Sequence, residues 1–413
     1  MAWYFGIDLD ETYAQISVYT EQMKEPQTLS QKEGSSVFVV PYHLLRHPDG
    51  QWEIGWNALQ NRSSDYFWEE NIYETACKGA DCNVAGEKIE GAQLFALFIQ
   101  ELCQLTKTYC DDGKADKIIF TVSEVGPEQI QLVHAIAEKL PVAPGGVHLR
   151  DYRECFANYA LAQQAHFWRN GVQLYAYDGK RLRILSLERK EEVRPVVVLV
   201  HQTWMDGWGS RSFGRKISDE AKDQLFCEIL KEQLEEQDVS TIYLVGEGFE
   251  GDWLKESLEI LCDGHRAFLG QNLFTKGACL TGAIEEDAQW PFVYLGDAKP
   301  KANVCLNVSD CGKPHLISLV SAGDNWYEAG GEMEILLEDG NRLDVLLKAP
   351  DGSESRVQTF TLKELPKRPE RTTRLLLQAK AESETRIRLV IQDLGFGELF
   401  PSCEEQWEYE INI

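Results

Sequence analysis

The chain has 413 residues, enough for two or three domains of about 150 residues each, and its 43% hydrophobic and 26% charged residues are ordinary for a globular protein. It carries 67 acidic residues against 41 basic ones, a net charge of -26. Such a field repels phosphate backbones and anionic lipids, which argues against a nucleic-acid or membrane-surface role. A small anionic ligand in a local pocket stays compatible with it.

The sequence gives little indication of a membrane helix, a signal peptide, disulfide bonds or a zinc site. No apolar run is long enough for a membrane helix, and the first residues, MAWYFGIDLDETYAQ, lack the basic and apolar regions of a signal peptide. The eleven cysteines are irregularly spaced and form no CxxC, which disfavours a disulfide framework and a structural zinc site. We therefore expect a cytoplasmic protein in which most cysteines are small buried hydrophobic residues.

Strand and helix patterns alternate in the first part of the chain. Residues 3–9 and 13–20 are apolar and β-branched on either side of an acidic turn, which is typical of a hairpin. Further strands are predicted at 36–42, 52–55 and 117–122, and helices at 91–107, from Gly126-Pro127 onwards and at 154–166.

The same pattern begins again near residue 173. Residues 173–177 and 181–188 flank Asp178-Gly179, a strong turn signal. Strands are predicted at 193–200 and 241–245, and helices at 217–237, 252–262 and 272–285. Because a β-meander followed by helices occurs twice, the sequence predicts two related α/β halves.

From about residue 293 onwards only strand patterns remain. They lie at 332–339, 342–349, 355–362, 372–381 and 385–394. This spacing predicts a small antiparallel β-sandwich. We therefore expect three domains, at 1–165, 166–292 and 293–413.

The turn between the first two strands could carry chemistry. Asp8 stands at the end of a strand, where a carboxylate can hold hydrated Mg²⁺, and the N–H groups of a tight turn can cradle phosphate oxygens. A plain hairpin with an acidic turn is the alternative, and this segment taken alone favours it.

Gly246 to Gly251 fit the spacing G-x-G-x-x-G between a strand and a helix. A dinucleotide site also needs an acid about 20 residues further on, and 264–275 offer none. The signal is therefore weak, although glycine still lets a ligand approach the backbone.

Taken in order, these segments resemble the actin-like ATPase superfamily, and within it the DnaK-type heat-shock chaperones. FGIDLDETYAQISVY resembles the first phosphate loop, and HLRDYRECFANYAL resembles the connecting helix, with the family's Glu at Glu154. TIYLVGEGFEGDWLKESL is similar to the adenosine loop, and NLFTKGACLTGAI to the closing helix. The β-rich tail stands where these chaperones carry their peptide-binding sandwich. The chain equally resembles bacterial proteins of unknown function.

The resemblance implies an α/β fold with two actin/DnaK-like lobes, duplicated ribonuclease-H-like domains, followed by a β-sandwich. It also implies a site for ATP or ADP with Mg²⁺ between the lobes. The candidate nucleotide-binding residues are Asp8, Asp10, Thr12, Glu154, Asp178, Gly246 and Gly248. Asp8 is also the candidate Mg²⁺ residue, acting through water.

Three departures from the family pattern bear on function. Asp10-Glu11-Thr12 replaces Gly-Thr-Thr, which brings two carboxylates towards the phosphates. The second phosphate loop becomes a tight hairpin, in which the family's Asp falls on Ala176, or on Asp178 if the alignment slides. The short distance from this hairpin to Gly246 leaves little room for the subdomain that clamps adenine.

We therefore expect a non-enzymatic, chaperone-like or scaffold protein with a degenerate nucleotide cleft and a protein or peptide partner. One alternative is a genuine ATP-binding or weakly hydrolysing member in which Asp10, Asp178 and Lys180 replace the lost groups. A second alternative is a small-molecule kinase of the same superfamily, which requires a catalytic Asp and a substrate-side insertion.

Two aromatic segments remain open to interpretation. Phe396 and Phe400, in the tail segment DLGFGELFP, are candidates for partner binding, and the alternative is a turn with packed rings. Trp204 and Trp208 belong to the core or to a surface patch, and the sequence does not choose between the two.

Overall fold

The computed structural model describes residues 2–32, 34–63, 66–205, 217–310, 312–350 and 354–413. It is a mixed α/β protein with several sheets. Two compact units can be separated: a larger one, Met1–Glu188 with Val200–Trp290, and a smaller one, Arg189–Leu199 with Pro291–Ile413. Within the described ranges, no helix combines the length and the apolar character needed to span a membrane.

The first half of the larger unit contains most of its short strands. Its elements are β1 (Tyr4–Leu9), β2 (Tyr13–Tyr19), β3 (Gln27–Thr28), β4 (Val40–Pro41), β5 (Leu44–Arg46), β6 (Trp52–Ile54), α1 (Gly55–Gln60), β7 (Phe67–Glu69), α2 (Ile72–Cys77), β8 (Asp81–Val84), β9 (Glu87–Glu90), α3 (Gly91–Gln104), β10 (Lys117–Val122), α4 (Pro127–Ile136), β11 (Val147–Asp151), α5 (Tyr152–Leu161) and α6 (Ala165–Trp168). Short 3-10 helices follow α3 and α4, at Leu105–Thr108 and Ala137–Lys139.

The second half has fewer and longer elements. They are β12 (Gly171–Tyr177), β13 (Leu182–Lys190), β14 (Val196–Met205), α7 (Asp219–Glu236), β15 (Val239–Val245), a 3-10 turn at Glu247–Phe249, α8 (Glu256–Cys262), β16 (Arg266–Leu269) and α9 (Leu273–Ile284). The predicted hairpins at the start of each half are confirmed, because β1 pairs antiparallel with β2 and β12 with β13.

The two halves build sheets with the same strand order. The first sheet runs β11-β10-β1-β2-β3, with β10 and β11 parallel to β1 and the β1–β2 pair antiparallel. The second runs β16-β15-β12-β13-β14, with β15 and β16 parallel to β12. The central parallel strands are almost wholly buried, which explains their continuous apolar runs.

A helix near the end of each half, α5 in the first and α9 in the second, lies against the sheet of the other half. On α9, the Thr275 hydroxyl donates to the carbonyl oxygen of Gly6 in β1, 2.7 Å away. On α5, the Tyr159 ring packs edge-on against Tyr243 of β15, with centroids 5.7 Å apart. The elements that join the two halves are therefore α5 and α9. The helix predicted at 272–285 corresponds to α9, whereas the one predicted at 154–166 ends at Leu161 and is followed by the separate helix α6.

Glycine allows α5 and α9 to touch. A Cβ on Gly277 would lie 2.2 Å from the carbonyl oxygen of Cys155, and one on Gly6 would lie 2.1 Å from that of Thr275. Both obstacles are backbone atoms, which cannot move aside without shifting an element. The helix–helix and helix–sheet distances are thus set by residues that have no side chain.

The smaller unit is all-β apart from its loops. Its strands are β17 (Phe292–Tyr294), β18 (Asn303–Asp310), β19 (Lys313–Val320), β20 (Gly330–Leu337), β21 (Arg342–Lys348), β22 (Ser355–Thr361), β23 (Thr373–Ala381), β24 (Arg386–Asp393) and β25 (Gln406–Asn412). They form two four-stranded antiparallel sheets, β19-β18-β21-β22 and β20-β23-β24-β25. β17 stands apart and pairs in parallel with the beginning of β14.

Alternation along these strands builds one shared core. Leu375 and Leu377 of β23 and Leu389 and Ile391 of β24 are fully buried, while the residues between them are exposed or half-buried. Val345 of the facing sheet belongs to the same cluster. The two sheets therefore form the sandwich that the alternating patterns indicated.

We expect Gly277→Ala to lower the free energy of unfolding by on the order of 2–3 kcal/mol, because the new methyl group meets a backbone carbonyl. Helix propensity alone would instead raise the free energy of unfolding by about 1 kcal/mol. The sign of the measured change therefore distinguishes helix propensity from the steric clash. Urea denaturation followed by tryptophan fluorescence measures the difference. Gly282→Ala, in the same helix, is the matched control, since its nearest neighbours are side-chain atoms 3.0 Å or more away. A Gly277→Ala protein as stable as the wild type would contradict the close contact.

Candidate functional site

Asp8 lies in β1 and is almost fully buried. The Tyr152 hydroxyl, at the start of α5, donates to its Oδ1 atom, 2.6 Å away. Burial raises the pKa of Asp8 to about 7, although the Tyr152 hydrogen bond opposes the shift. The neighbouring charge of Asp10 raises this pKa further, and that of Arg183 lowers it. Asp8 is therefore protonated in a large fraction of molecules at neutral pH.

Asp10 and Thr12 satisfy each other within the turn. Asp10 Oδ1 accepts the Thr12 N–H at 3.2 Å and lies 3.3 Å from its hydroxyl, as in an Asx-turn. The Tyr42 hydroxyl donates to the Asp10 carbonyl oxygen at 2.9 Å and so anchors the turn. Both candidate side chains are thus used by the turn itself.

Arg183 of β13, which the sequence patterns did not single out, is the buried cation facing Asp8. Only 5% of it is exposed, and its Nη1 donates to Ser123 Oγ, just beyond β10, at 2.8 Å. Its guanidinium carbon lies 5.2 Å from the Tyr152 ring centre and 5.9 Å from that of Phe274. An arginine among the apolar residues Leu182, Ile184 and Leu185 was the available signal. The side chain bridges the two halves of the larger unit.

The Tyr152 and Phe274 rings form a stacked pair, with centroids 3.9 Å apart and planes 5° from parallel. Trp204 lies on the other side of Arg183, at 5.2 Å from its guanidinium carbon. Trp204 is 37% exposed, so it caps the arginine at the surface. Its sequence neighbour Trp208 lies outside the described residues.

Glu154 belongs to an ionic network at the start of α5. Its N–H donates to the capping residue Asp151 at 2.8 Å, and its carboxylate lies 3.7 Å from Arg150 Nε. Arg150 also donates to Glu285 at the end of α9, at 2.6 Å. Burial would raise the pKa of Glu285, but the Arg150 charge holds it below the ordinary value. This network ties α5 to α9.

Asp178 lies in the exposed β12–β13 turn. Its Oδ1 accepts the N–H groups of Lys180 and Arg181, both at 2.7 Å. The carboxylate therefore stabilises the tight hairpin. Asp178 and Glu154 each have a local structural partner, and their assignment to a nucleotide stays a prediction.

Gly246 and Gly248 are required by close packing against Tyr177, the last residue of β12. Gly246 has a φ of 105°, and a Cβ there would lie 2.4 Å from the Tyr177 carbonyl oxygen. A Cβ on Gly248 would lie 2.1 Å from the Tyr177 ring. Glycine is explained at both positions by contact with the chain itself.

Aromatic rings fill the space behind this glycine loop. Tyr177, Phe226, Phe249 and Trp253 are all buried and mutually packed. The Lys222 ammonium lies 3.8 Å from the Trp253 ring centre and donates to the Gly248 carbonyl oxygen at 2.9 Å. Burial lowers the pKa of Lys222.

The glycine loop and the β1–β2 turn are near each other. Burial raises the pKa of Tyr13, and the charges of Asp8, Asp10 and Glu247 raise it further. Acidic groups of both segments thus act on one phenol, which places the β1–β2 turn and the Gly246–Gly248 loop in one region. Arg183 is a buried cation whose charge also acts on Asp8.

The partner candidates lie in a loop of the smaller unit that follows β24. Arg368 holds Asp393 by two hydrogen bonds of 2.8 and 2.7 Å, and Asp393 accepts the Cys403 N–H at 2.8 Å. Phe396 is exposed and its N–H donates to the carbonyl oxygen of Phe400, which is half-buried.

Between the two phenylalanines, Leu399 is 86% exposed, a residue that the sequence reasoning missed. Asp393 stands at the start of this loop and accepts the N–H of Cys403 at its end, so its hydrogen bonds fix both ends of the loop. The loop therefore presents apolar side chains on a rigid frame.

Comparisons with known proteins give families without an assigned function. Residues 25–297 match the model described as the C-terminal part of a family of unknown function (DUF5716). Residues 299–413 match a domain of unknown function (DUF8552). No curated protein matched the chain.

The buried carboxyl group predicts a pH dependence. Since the folded-state pKa of Asp8 is about 7 against an ordinary 3.8, the unfolded chain loses this proton first, and stability falls as pH rises from about 4 to 7. We expect Asp8→Asn to be more stable than the wild type at pH 8, by on the order of 3 kcal/mol, and to lose that advantage towards pH 4. Urea denaturation across this range measures the difference.

Asp111→Asn, at an exposed turn, removes a carboxylate far along the chain from β1 and serves as the control. A difference between wild type and Asp8→Asn that is constant over pH would show that Asp8 does not titrate as a buried acid.

The Tyr177 contact predicts coupling between two substitutions. Gly248→Ala should cost about 1–3 kcal/mol of stability because its methyl group overlaps the ring. In a Tyr177→Ala background the same change should cost at least about 1 kcal/mol less. A double-mutant cycle in urea measures the coupling, with Gly323→Ala, whose Cβ would meet only one atom at 3.6 Å, as the control. Additive costs would mean that the ring does not fill this space.

Proposed function

The chain belongs to the DUF5716 family, and we propose that it is a non-enzymatic interaction protein, chaperone-like or scaffold in type. In this proposal its larger unit is an actin-like ATPase scaffold of the DnaK type whose nucleotide cleft is degenerate. Its smaller unit is the β-sandwich that such chaperones use for partners.

The repeated strand order supports the scaffold assignment. Each half has an antiparallel hairpin followed by two strands parallel to the first, with helices between them. A helix from each half packs on the sheet of the other half. A duplicated pair of domains joined by two contacting helices is what the resemblance to actin-like ATPases implies.

One observation carries the proposal of a degenerate cleft: side chains of the protein itself contact two of the segments assigned to the nucleotide. The Tyr177 ring packs on Gly248, where an added Cβ would lie 2.1 Å from it. The charge of the buried Arg183 acts on Asp8, the residue for which the resemblance implies a metal ion and phosphates. In this proposal Arg183, which donates to Ser123 and lies beside aromatic rings, takes the place of those groups.

The charges around the site support the same conclusion. Burial and the like charge of Asp10 raise the pKa of Asp8 to about 7, so Mg²⁺ binding at neutral pH would have to displace a proton. Phosphoryl transfer depends on Mg²⁺ and positioned cations to neutralise the phosphates. Asp10 and Glu11 add negative charge instead, and like charges in a partly dry site repel.

The proposed partner is a protein or a peptide in the cytoplasm. The net charge of -26 disfavours nucleic acid and anionic membranes. The rigid loop with Phe396 and Leu399 offers an exposed apolar contact on the smaller unit.

One observation favours the alternative of a genuine ATP-binding protein. The Nε atom of Arg183 is buried and has no hydrogen-bond partner among the described residues. A guanidinium with a spare donor can bind a phosphate oxygen. The test below therefore has to separate a site closed by Arg183 from one in which Arg183 binds phosphate.

We expect thermal unfolding of the full chain to be unchanged, within about 1 °C, by Mg²⁺ with ATP or ADP up to about 5 mM, compared with Mg²⁺ alone. A ligand at a hundred times its dissociation constant would add about 2.7 kcal/mol of stability, which such a scan detects. Inorganic phosphate at equal ionic strength controls for salt effects.

Arg183→Gln and Asp8→Ala complete the design. If ATP raises the melting temperature of the wild type by an amount that grows with the logarithm of its concentration, and both variants lose this rise, the protein binds nucleotide and the proposal is wrong. If neither the wild type nor the variants respond, the cleft is closed to nucleotide as proposed.

A further inference from the structure

A second concave site lies in the larger unit, in a groove of about 430 Å³. One wall carries Thr28 of β3 and the other Phe268 of β16, while Tyr159 of α5 lies between them. This volume is within the range of ligand sites and holds one or two aromatic side chains. None of the nucleotide candidates lines it.

Both walls are the last strands of their sheets. β3 ends the first sheet and β16 ends the second. Among the described residues, no backbone hydrogen bond reaches the outer side of Arg266–Leu269. An open strand edge presents unpaired N–H and C=O groups that an added strand can use.

Apolar side chains surround this edge. Phe268 is 39% exposed, and its ring stacks on Tyr243 with centroids 5.8 Å apart. The next residue, Leu269, is 67% exposed, and Val37, beside the groove-lining Phe38, is also exposed. Exposed large hydrophobic residues that adjoin a groove mark an interaction site rather than ordinary surface.

The charged side chains in and around the groove indicate which kind of partner it would bind. Lys276 is the one charged residue among those that line it, and at the rim the Arg266 guanidinium lies over the Phe167 ring at 5.2 Å. Glu25 approaches Lys276 at 3.7 Å but is itself 62% exposed, so this ion pair is weak. In a chain of net charge -26, a groove lined by a cation favours a partner segment that carries an acid.

We infer that this groove binds an extended segment of a protein partner, with alternating apolar residues and one acid, which adds as a strand to the outer edge of β16. Its apolar side chains pack on Phe268 and Tyr159, and its carboxylate pairs with Lys276. The protein holds a similar addition elsewhere, since Val196–Val198 pair in parallel with the short strand Phe292–Tyr294. The inference goes beyond the proposed function and does not depend on the state of the nucleotide cleft.

The probe is a set of fluorescein-labelled peptides of about seven residues, long enough to span the edge of β16. In this set, positions 2 and 4 are each varied among Phe, Tyr, Leu, Ile and Val. Position 6 is always Glu, and every other position is Thr. Fluorescence polarisation with the full chain should identify members that bind with dissociation constants of about 1–100 μM. If no member binds at about 1 mM protein, the inference is wrong.

Backbone pairing is tested on the best peptide. N-methylation of alternate peptide nitrogens should weaken binding by about tenfold or more when the methylated set faces β16, because each methyl group removes a donor. Methylation of the other set should have a small effect. If neither set matters, the groove binds apolar groups without strand addition, and the inference fails.

Side-chain contacts are tested on the protein. Phe268→Ser should weaken binding by about tenfold, while Leu258→Ser should not, although this apolar residue of α8 is more exposed, at 49% against 39%. Lys276→Gln should weaken the Glu peptide several-fold and leave a peptide with Gln at position 6 unchanged. Equal losses in both serine variants would mean non-specific adhesion.

A second copy of the chain is the competing occupant. Light scattering on the wild type and on Phe268→Ser distinguishes it: a dimer that Phe268→Ser converts to a monomer would replace the peptide inference with self-association. An oligomeric state that is the same in both proteins, together with peptide binding, supports the inference.

Discussion

The contact between α5 and α9 is the constraint on which the larger unit depends. These helices touch at Gly277 of α9, where the lack of a side chain allows contact with the backbone of Cys155 in α5. Gly6 in β1 likewise lets α9 approach the first sheet at the backbone of Thr275. A buried hydrogen bond from Asn158 to Thr281, 2.9 Å long, fixes their register. Backbone atoms in contact cannot be repacked by rotamer changes, so the spacing of the two halves is rigid.

This spacing determines what can occupy the region before Asp8. Tyr152 begins α5 and Phe274 belongs to the first turn of α9, so helix contact brings their rings into a stack. The stack gives Arg183 an apolar and polarisable surface, and Ser123 gives it a hydrogen bond. A buried cation is stable only when such partners surround it. The enclosure of Arg183 is thus a consequence of how the helices meet.

The same arrangement leaves open edges at the opposite walls. β3 and β16 end their sheets beside the two helices, and nothing in the described chain pairs with their outer sides. Unpaired strand edges of this kind can accept a further extended segment. The smaller unit adds a second exposed apolar feature, the loop anchored by Asp393 and Arg368.

Local patterns were sufficient for most of the secondary structure. The strand predicted at 117–122 has the same bounds in β10, and the helix predicted from Gly126-Pro127 begins at Pro127. Errors of a few residues occur at other ends, as at α5, which begins at Tyr152 because Asp151 caps it. A cap of this kind depends on one hydrogen bond, so the spacing of hydrophobic residues does not predict where the helix begins.

The sequence by itself determined the alternation of strands and helices, the all-strand tail and the presence of Asp8, Gly246 and Gly248 at strand ends. These features depend on the period of apolar residues and on turn chemistry, which are local properties. Only the tertiary structure decided that Tyr177 fills the space on Gly248 and that Arg183 faces Asp8. These pairs come from different elements, and no spacing along the chain encodes which side chain enters a gap that two packed halves create.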